Sequence, residues 1–175
     1  NFHRWMEPVV PESALKDRSG NRSNYMTWGH VEIPDRPNHL SLYATEAYYT
    51  GPDSRVRRFE YRKDGFVSVR GGTKGGLLTT KTITLGRLAE RLTLNYQSAK
   101  DGTLCVAIEE SNGKLIPGFT LENCKPLKGD SLHRTVVWKD GPDISALRHK
   151  HKVVQLRFEI KNGDLYALQF QPWLR

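Results

Sequence analysis

Several features common in proteins are scarce or missing from this chain of 175 residues. Its two cysteines, Cys105 and Cys124, are too few for a disulfide framework. No apolar run approaches the roughly 18 residues that a membrane-spanning helix needs. The opening NFHRWMEPVV also lacks the basic-then-apolar order of a secretion signal. The sequence therefore does not predict a membrane partner.

Motifs for acyl transfer and for nucleotide binding are missing as well. Ser41, Ser54 and Ser68 stand outside any G-x-S-x-G elbow, and neither cysteine has a nearby histidine that suggests a nucleophile pair. The glycines of GGTKGG, residues 71–76, do not follow the G-x-x-x-x-G-K-[ST] order, and they lead into a strand where a phosphate loop needs a helix. We therefore predict no cofactor.

The formal net charge of +8 raises the question of an anionic partner, and nearly all of the excess lies in residues 63–175. There it is dispersed, apart from the dense run RHKHK at residues 148–152. Nucleic-acid-binding domains concentrate basic residues on one face and interleave stacking aromatics, which this run lacks. The run is typical of a solvated hairpin tip, so nucleic acid is not the favoured partner, and another polyanion stays an alternative.

Alternating apolar and polar side chains from residue 31 onward predict strands, and no helical pattern of three turns occurs. Five dipeptides suited to positive φ, each preceded by Lys or Ser, separate β-branched or aromatic runs and predict hairpin turns: Asp64-Gly65, Asp101-Gly102, Asn112-Gly113, Asp140-Gly141 and Asn162-Gly163. The predicted strands are residues 31–33, 40–49, 56–62, 66–70, 77–85, 91–97, 104–109, 119–121, 134–139, 153–160 and 165–170. This spacing predicts an all-β chain with an antiparallel β-sandwich of jelly-roll type.

The chain is expected to divide after residue 62. Residues 63–175 carry the regular turn signals and are predicted to form the C-terminal sandwich. Residues 1–62 begin with a proline-rich looping segment and offer about four strands, too few to bury both faces of a sheet. We interpret them as a partial β-propeller blade that completes a ring begun upstream.

Several strings together resemble one family. The most specific is SRVRRFEYRKDGFVS, followed by GFTLENC with KGDS and by the ending DLYALQF. Jointly they resemble the C-terminal part of bacterial proteins related to five-bladed-propeller glycosidases, whose relatives include sialidase-like, fructosidase-like and arabinosidase-like enzymes.

In that family a propeller carries the active site and a C-terminal β-sandwich packs against its side. The resemblance implies that residues 1–62 are the closing blade and residues 63–175 an accessory sandwich. It also implies upstream blades of the same parent protein as partner, carbohydrate as a ligand, and an extracellular or periplasmic location. The upstream carboxylates of such enzymes have no counterpart here, so this piece is expected to be non-catalytic. The alternative is a stand-alone carbohydrate-binding sandwich without enzymatic activity.

Glu46 is the single carboxylate in residues 1–62 that combines a strand position, an apolar face and flanking aromatics. Glycoside hydrolysis needs a protonated carboxyl group, and burial among tyrosines would raise the pKa of Glu46 towards that of a general acid. The alternative is a structural cross-strand pair with Arg57 or Arg58. Both interpretations stay open at the level of sequence.

Aromatic side chains of the first part are candidates for stacking on a sugar ring. The substrate-binding prediction consists of Trp5, Arg22, Tyr48 and Tyr49, with Tyr25, Trp28 and His30 as further members of the same platform. The alternative is that these rings pack beneath the proline-rich loop, because aromatics dominate core burial.

His149 and His151 would point to one side of an extended segment, as two ligands of one metal do. Since no third ligand follows at a recognisable spacing, we predict no metal site. Cys105 and Cys124 are interpreted as buried free thiols, with a single bridge between them as the alternative.

Overall fold

The computed structural model describes residues 8–13, 23–48 and 52–173 of the chain. The chain forms two compact units, Asn1–Phe66 and Val67–Arg175, whereas the sequence pattern put the division after residue 62. Each unit contains one antiparallel sheet. The all-β, antiparallel prediction is therefore confirmed.

Four strands form the sheet of the first unit: β1 (Tyr25–Met26), β2 (Val31–Glu32), β3 (His39–Glu46) and β4 (Arg55–Arg62). β4 pairs with the full length of β3. β1 and β2 pair with opposite ends of β3, so they follow one another along its other edge. The side chains of β3 that alternate on one face are buried, as the period-2 pattern predicted: Leu40, Leu42, Ala44 and Glu46.

The predicted strand at residues 66–70 does not belong to this sheet. A turn at residues 63–65 ends β4, with Asp64 at φ +50° and the amide of Gly65 donating to the carbonyl of Arg62. The next strand, β5 (Val69–Gly71), joins the sheet of the second unit. Asp64-Gly65 is thus a turn, but the strands on its two sides do not pair as a hairpin.

The second unit is organised around two long strands. After β5 come β6 (Gly76–Thr79), β7 (Ile83–Thr84), β8 (Arg91–Glu110), β9 (Asp130–Thr135) and β10 (Val153–Gln171). β8 and β10 pair antiparallel along their whole lengths, from Val154 opposite Glu110 to Gln171 opposite Arg91. β5, β6 and β7 pair with β10, and β9 pairs with β8. The predicted strand at residues 77–85 is interrupted, because β6 and β7 are separate.

A single cluster of buried side chains fills the second unit, and both halves of β8 and β10 contribute to it. Trp138 is the largest fully buried side chain, with its indole Nε1 donating to the carbonyl oxygen of Val106 at 2.9 Å and the ring of Phe119 edge-on at 5.2 Å. Burial of one large apolar side chain contributes roughly 1.5–3 kcal/mol. The strand residues of the cluster include Leu92, Leu94, Tyr96, Leu104, Val106, Ile108, Val154, Leu156, Phe158, Ile160 and Leu165.

Two predicted hairpin turns are instead bulges inside continuous strands. The register of β8 and β10 shifts between Lys161 and Gly163, whose partners are Thr103 and Ser98. Residues 99–102 of β8 therefore bulge out opposite Asn162, which has φ +45°. The turn interpretation of Asp101-Gly102 and Asn162-Gly163 was wrong because residues that favour positive φ specify local curvature, and chain reversal depends on strand pairing.

Two other expectations need correction. Residues 119–121 do not form a strand but lead into a turn at residues 121–123, and the ring of Phe119 packs against Trp138. The strand predicted at residues 134–139 is β9, which ends at Thr135. The described part of the chain also contains one short helix, α1 (Leu147–Lys150), in the basic run. Within the described residues, no helix has the length and apolar character needed to cross a membrane.

Candidate functional site

Glu46 lies at the end of β3 directly opposite Arg55 of β4, and Arg57 lies on the same face two residues further. Arg55 Nε donates to Glu46 Oε2, and Arg57 Nη1 donates to Oε1 at 2.8 Å. Ser13 donates a third hydrogen bond to the carboxylate and itself accepts one from Asn24 Nδ2 at 2.9 Å. The side chain of Glu46 is 1% exposed although its two arginine partners remain about half exposed.

These contacts lower the pKa of Glu46 from 4.5 to about 2. The hydrogen bond from Ser13 is the largest cause; burial acts in the opposite direction, and hydrogen bonds from Arg57 and Arg55 add to the lowering. Of the two interpretations that the sequence left open, the cross-strand pair with Arg57 is formed and the raised pKa of a general acid is not, because the carboxylate is covered by cationic donors and not by tyrosine rings. A general acid must hold its proton near neutral pH, which this environment opposes.

The predicted aromatic platform is described only in part. Trp5, Arg22 and Tyr49 lie outside the described residues. The rings of Tyr25 and Tyr48 meet at 4.9 Å between centroids, tilted by 57°. Trp28 is fully exposed, so its indole is not packed beneath the proline-rich loop.

The two histidines of the basic run have separate surroundings. His149 belongs to α1, and its Nε2 accepts a hydrogen bond from Arg148 Nε at 3.3 Å. His151 Nδ1 lies 3.6 Å from Glu110 Oε1. The extended segment that would have aligned both rings is not formed. Among the described residues, no group of three or more His, Cys, Asp or Glu side chains could hold a metal ion.

A concavity of about 460 Å³ lies over the bulges of β8 and β10, and we call it the bulge concavity. Asp164 of β10 is flanked by Arg70 of β5 on one side and Gln97 of β8 on the other. Directly opposed residues of antiparallel strands share a face, so these three side chains form one row. The complete lining is Arg70, Gly71, Gly72, Thr73, Gln97, Ser98, Ala99, Asn162, Gly163, Asp164 and Tyr166.

Close approach of backbones brings together the strands that carry the bulge concavity. A Cβ added at Gly71 would overlap the carbonyl oxygen of Ile160, and one at Gly102 would overlap that of Asn162. Glycine at these two positions lets β5 and the bulge of β8 lie against β10. The side-chain amide of Asn162 is held across the bulge by Asp101, with Nδ2 to Oδ2 at 2.8 Å.

Asp164 anchors the row of polar side chains. Arg70 donates from Nε to Oδ1 at 2.9 Å and from Nη2 to Oδ2 at 3.2 Å, and Ser68 Oγ donates to Oδ1 at 2.8 Å. Burial raises the pKa of Asp164, but the hydrogen bonds from Arg70 and Ser68 outweigh it and the net direction is downward. The carboxylate is therefore ionised at neutral pH and holds the guanidinium of Arg70 at the rim.

Tyr166 and Gln97 form the remaining wall. The register of β10 shifts between Leu165 and Ala167, which places Tyr166 in a second bulge. Its hydroxyl donates to Gln97 Oε1 at 3.4 Å. Arg70 has five N–H donors, and Asp164 accepts hydrogen bonds from two of them. The side-chain amide of Gln97 can both donate and accept hydrogen bonds. A half-buried ring beside planar donors and acceptors can bind a neutral polyhydroxylated ligand.

The bulge concavity was not predicted from the sequence. Its members come from β5, β8 and β10, which are far apart in the chain and meet only through the long β8–β10 register. The one available signal was the pair of turn-like dipeptides Asp101-Gly102 and Asn162-Gly163, each within a strongly alternating segment.

A second, basic concavity of about 340 Å³ is lined by Leu85, Gly86, Arg87, Arg148, His149 and Lys152. Arg148 is partly committed to the fold, because its Nη1 donates to the carbonyl oxygen of Arg87 and lies 3.7 Å from Glu90 Oε1. Arg87 and Lys152 are exposed at its rim.

Comparisons of the chain with family models, with curated proteins and with solved structures found no match.

Proposed function

We propose that the second unit is a non-catalytic carbohydrate-binding β domain and that the bulge concavity is its binding surface. The observation that carries the proposal is the row Arg70, Asp164 and Gln97 beside the ring of Tyr166. Sugars present hydroxyls that exchange hydrogen bonds with planar polar side chains, and C–H faces that pack on an aromatic ring.

The proposal extends to the parent protein through the family resemblance. In this reading the second unit is the jelly-roll-type accessory sandwich, and the first unit is the closing blade of a glycosidase-like propeller. The exposed apolar side chains of the first unit support it, because neighbouring blades would cover them: Val9, Tyr25, Met26, Trp28, Val31 and Val56. No reaction is assigned to this chain, since Glu46 is held as an ionised structural carboxylate.

The proposal is tested by screening the chain on a glycan array and measuring the best ligand by calorimetry. Gln97→Ala removes one neutral hydrogen-bonding group and is expected to weaken binding about three- to tenfold. Tyr166→Ala removes the ring and is expected to weaken binding about tenfold. The matched control is Gln169→Ala, an exposed glutamine on β10 outside the concavity, which should bind like the wild type.

Two results would count against the proposal. One is the absence of any glycan binding by the folded chain. The other is glycan binding that Gln97→Ala and Tyr166→Ala leave unchanged, which would move the binding surface elsewhere. Turnover of a sugar substrate by the chain would contradict its non-catalytic part.

A second candidate function rests on the basic concavity, whose chemistry suits an anionic polysaccharide. The double variant Arg87→Glu, Lys152→Glu reverses two exposed charges at the rim and leaves Arg148, which contacts the backbone of Arg87, in place. The double variant should be retained less on immobilised heparin than the wild type. Retention of the wild type should fall as the salt concentration rises. The candidate is removed by unchanged retention of the double variant, or by tighter binding of DNA than of sulfated polysaccharide.

A further inference from the structure

The two cysteines of the chain are brought together by the fold of the second unit. Cys105 lies in β8 and is half-buried, and Cys124 lies in the segment between β8 and β9 and is 4% exposed. Both are free, and their thiols are neighbours. Cys124 Sγ also accepts a hydrogen bond at 3.3 Å from the backbone amide of Val106, the residue after Cys105.

Backbone hydrogen bonds hold both cysteines in these positions. Leu104 and Leu127 exchange two of them, with N···O distances of 3.0 and 2.9 Å, so the segment after Cys124 runs antiparallel to β8. On the other side, the amide of Lys125 donates to the carbonyl of Val137 at 2.8 Å. Main-chain pairing therefore holds the two residues next to each other.

We propose that Cys105 and Cys124 form an intramolecular disulfide by exchange with a low-molecular-weight disulfide, R–S–S–R. The Cys105 thiolate attacks one sulfur of R–S–S–R and expels R–S⁻, which leaves a mixed disulfide on Cys105. Cys124 then loses its proton to solvent, its sulfur attacks the Cys105 sulfur, and a second R–S⁻ leaves. The protein loses two electrons and two protons, and R–S–S–R is reduced to two thiols.

The surroundings of the pair assign different roles to the two thiols. The hydrogen bond from the Cys124 thiol lowers the pKa of Cys105, although burial and Glu159 oppose this. The same hydrogen bond, together with burial, raises the pKa of Cys124. Because the thiolate is the attacking species, the half-buried Cys105 reacts first and the buried Cys124 completes the bond.

The test uses the full reduced chain incubated with oxidised glutathione under native conditions, followed by alkylation, intact mass and peptide mapping. The wild type should lose two hydrogen atoms and join Cys105 to Cys124 within one chain. Cys124→Ser should stop with one glutathione on Cys105, and Cys105→Ser should stay unmodified. Circular dichroism checks that these variants fold, and the alanine variants repeat the measurement where a serine variant does not.

Three outcomes overturn the proposal. They are a wild type that keeps both thiols, a wild type with glutathione on both cysteines, and disulfides that join different chains. The decisive number is the equilibrium constant for ring closure against glutathione, measured in native buffer and in denaturant. A fold that holds the thiols in contact should raise it on the order of 100-fold over the unfolded chain. A ratio of one or less contradicts the inference.

Discussion

Replacing Glu46 by glutamine tests whether the ion pairs at the end of β3 stabilise the first unit. Moving the pKa of a carboxyl from 4.5 to about 2 corresponds to about 3 kcal/mol of folding free energy at neutral pH. Arg55 and Arg57 are 66% and 48% exposed, so solvent screens their attraction for Glu46. We therefore expect Glu46→Gln to cost about 2 kcal/mol.

The pH dependence of this effect has a defined sign. The folded pKa lies below the unfolded one, so the stabilisation is fully present above about pH 5 and is lost as pH falls towards about 2. Hydrogen exchange measured by mass spectrometry on peptides covering residues 39–62 reports the opening free energy of this sheet. The difference between wild type and Glu46→Gln should shrink steadily between pH 5 and pH 2.

Glu32→Gln is the matched control, because Glu32 is 67% exposed and pairs with Lys63 at 2.9 Å in the same sheet. An exposed pair of this kind contributes about 0–1 kcal/mol. Equal protection of β3 and β4 in wild type and Glu46→Gln at pH 7 would refute the reasoning. So would a difference that stays constant down to pH 2.

Two further predictions concern the second unit. Gly102→Ala forces a methyl group onto the carbonyl oxygen of Asn162. We expect it to lower the free energy of unfolding, measured by urea denaturation, by about 2–4 kcal/mol. The control is Gly72→Ala, where the added carbon meets open space, and it should change stability by less than about 0.5 kcal/mol. Equal effects would contradict the close approach at the bulge. Trp138→Phe removes the hydrogen bond to Val106 and leaves a void, so it should lower the free energy of unfolding by about 2–3 kcal/mol in the same assay. The control is Trp173→Phe at a half-exposed position, which should leave stability nearly unchanged.

Much of the strand content could be predicted from period-2 alternation. Leu40, Leu42 and Ala44 share a buried face of β3 as predicted, and Ser111-Asn112-Gly113 does end β8. Asp101-Gly102 looks the same in sequence and lies inside a strand. Local preference for positive φ is equal in both cases, and only the partner strand β10 distinguishes them.

The candidate sites show the same division between local and long-range information. From the sequence, Arg57 or Arg58 was the expected partner of Glu46. In the structure Glu46 pairs with Arg57 and also with Arg55. Arg58 pairs with Glu60 instead. Ser13 could not be identified, because its approach to Glu46 depends on a loop outside the strands. Predicting the bulge concavity would have required the pairing register of three strands, and no single segment of the sequence specifies that register.

The position of β10 in the chain has a consequence for biosynthesis. β5, β6, β7 and β8 all pair with β10, which is the last strand of the unit to be made. Until the ribosome has released that strand, four emerging strands lack the partner that satisfies their main-chain groups. We expect the nascent unit to stay open until β10 has left the ribosome, and then to close as one cooperative event limited by non-local pairing.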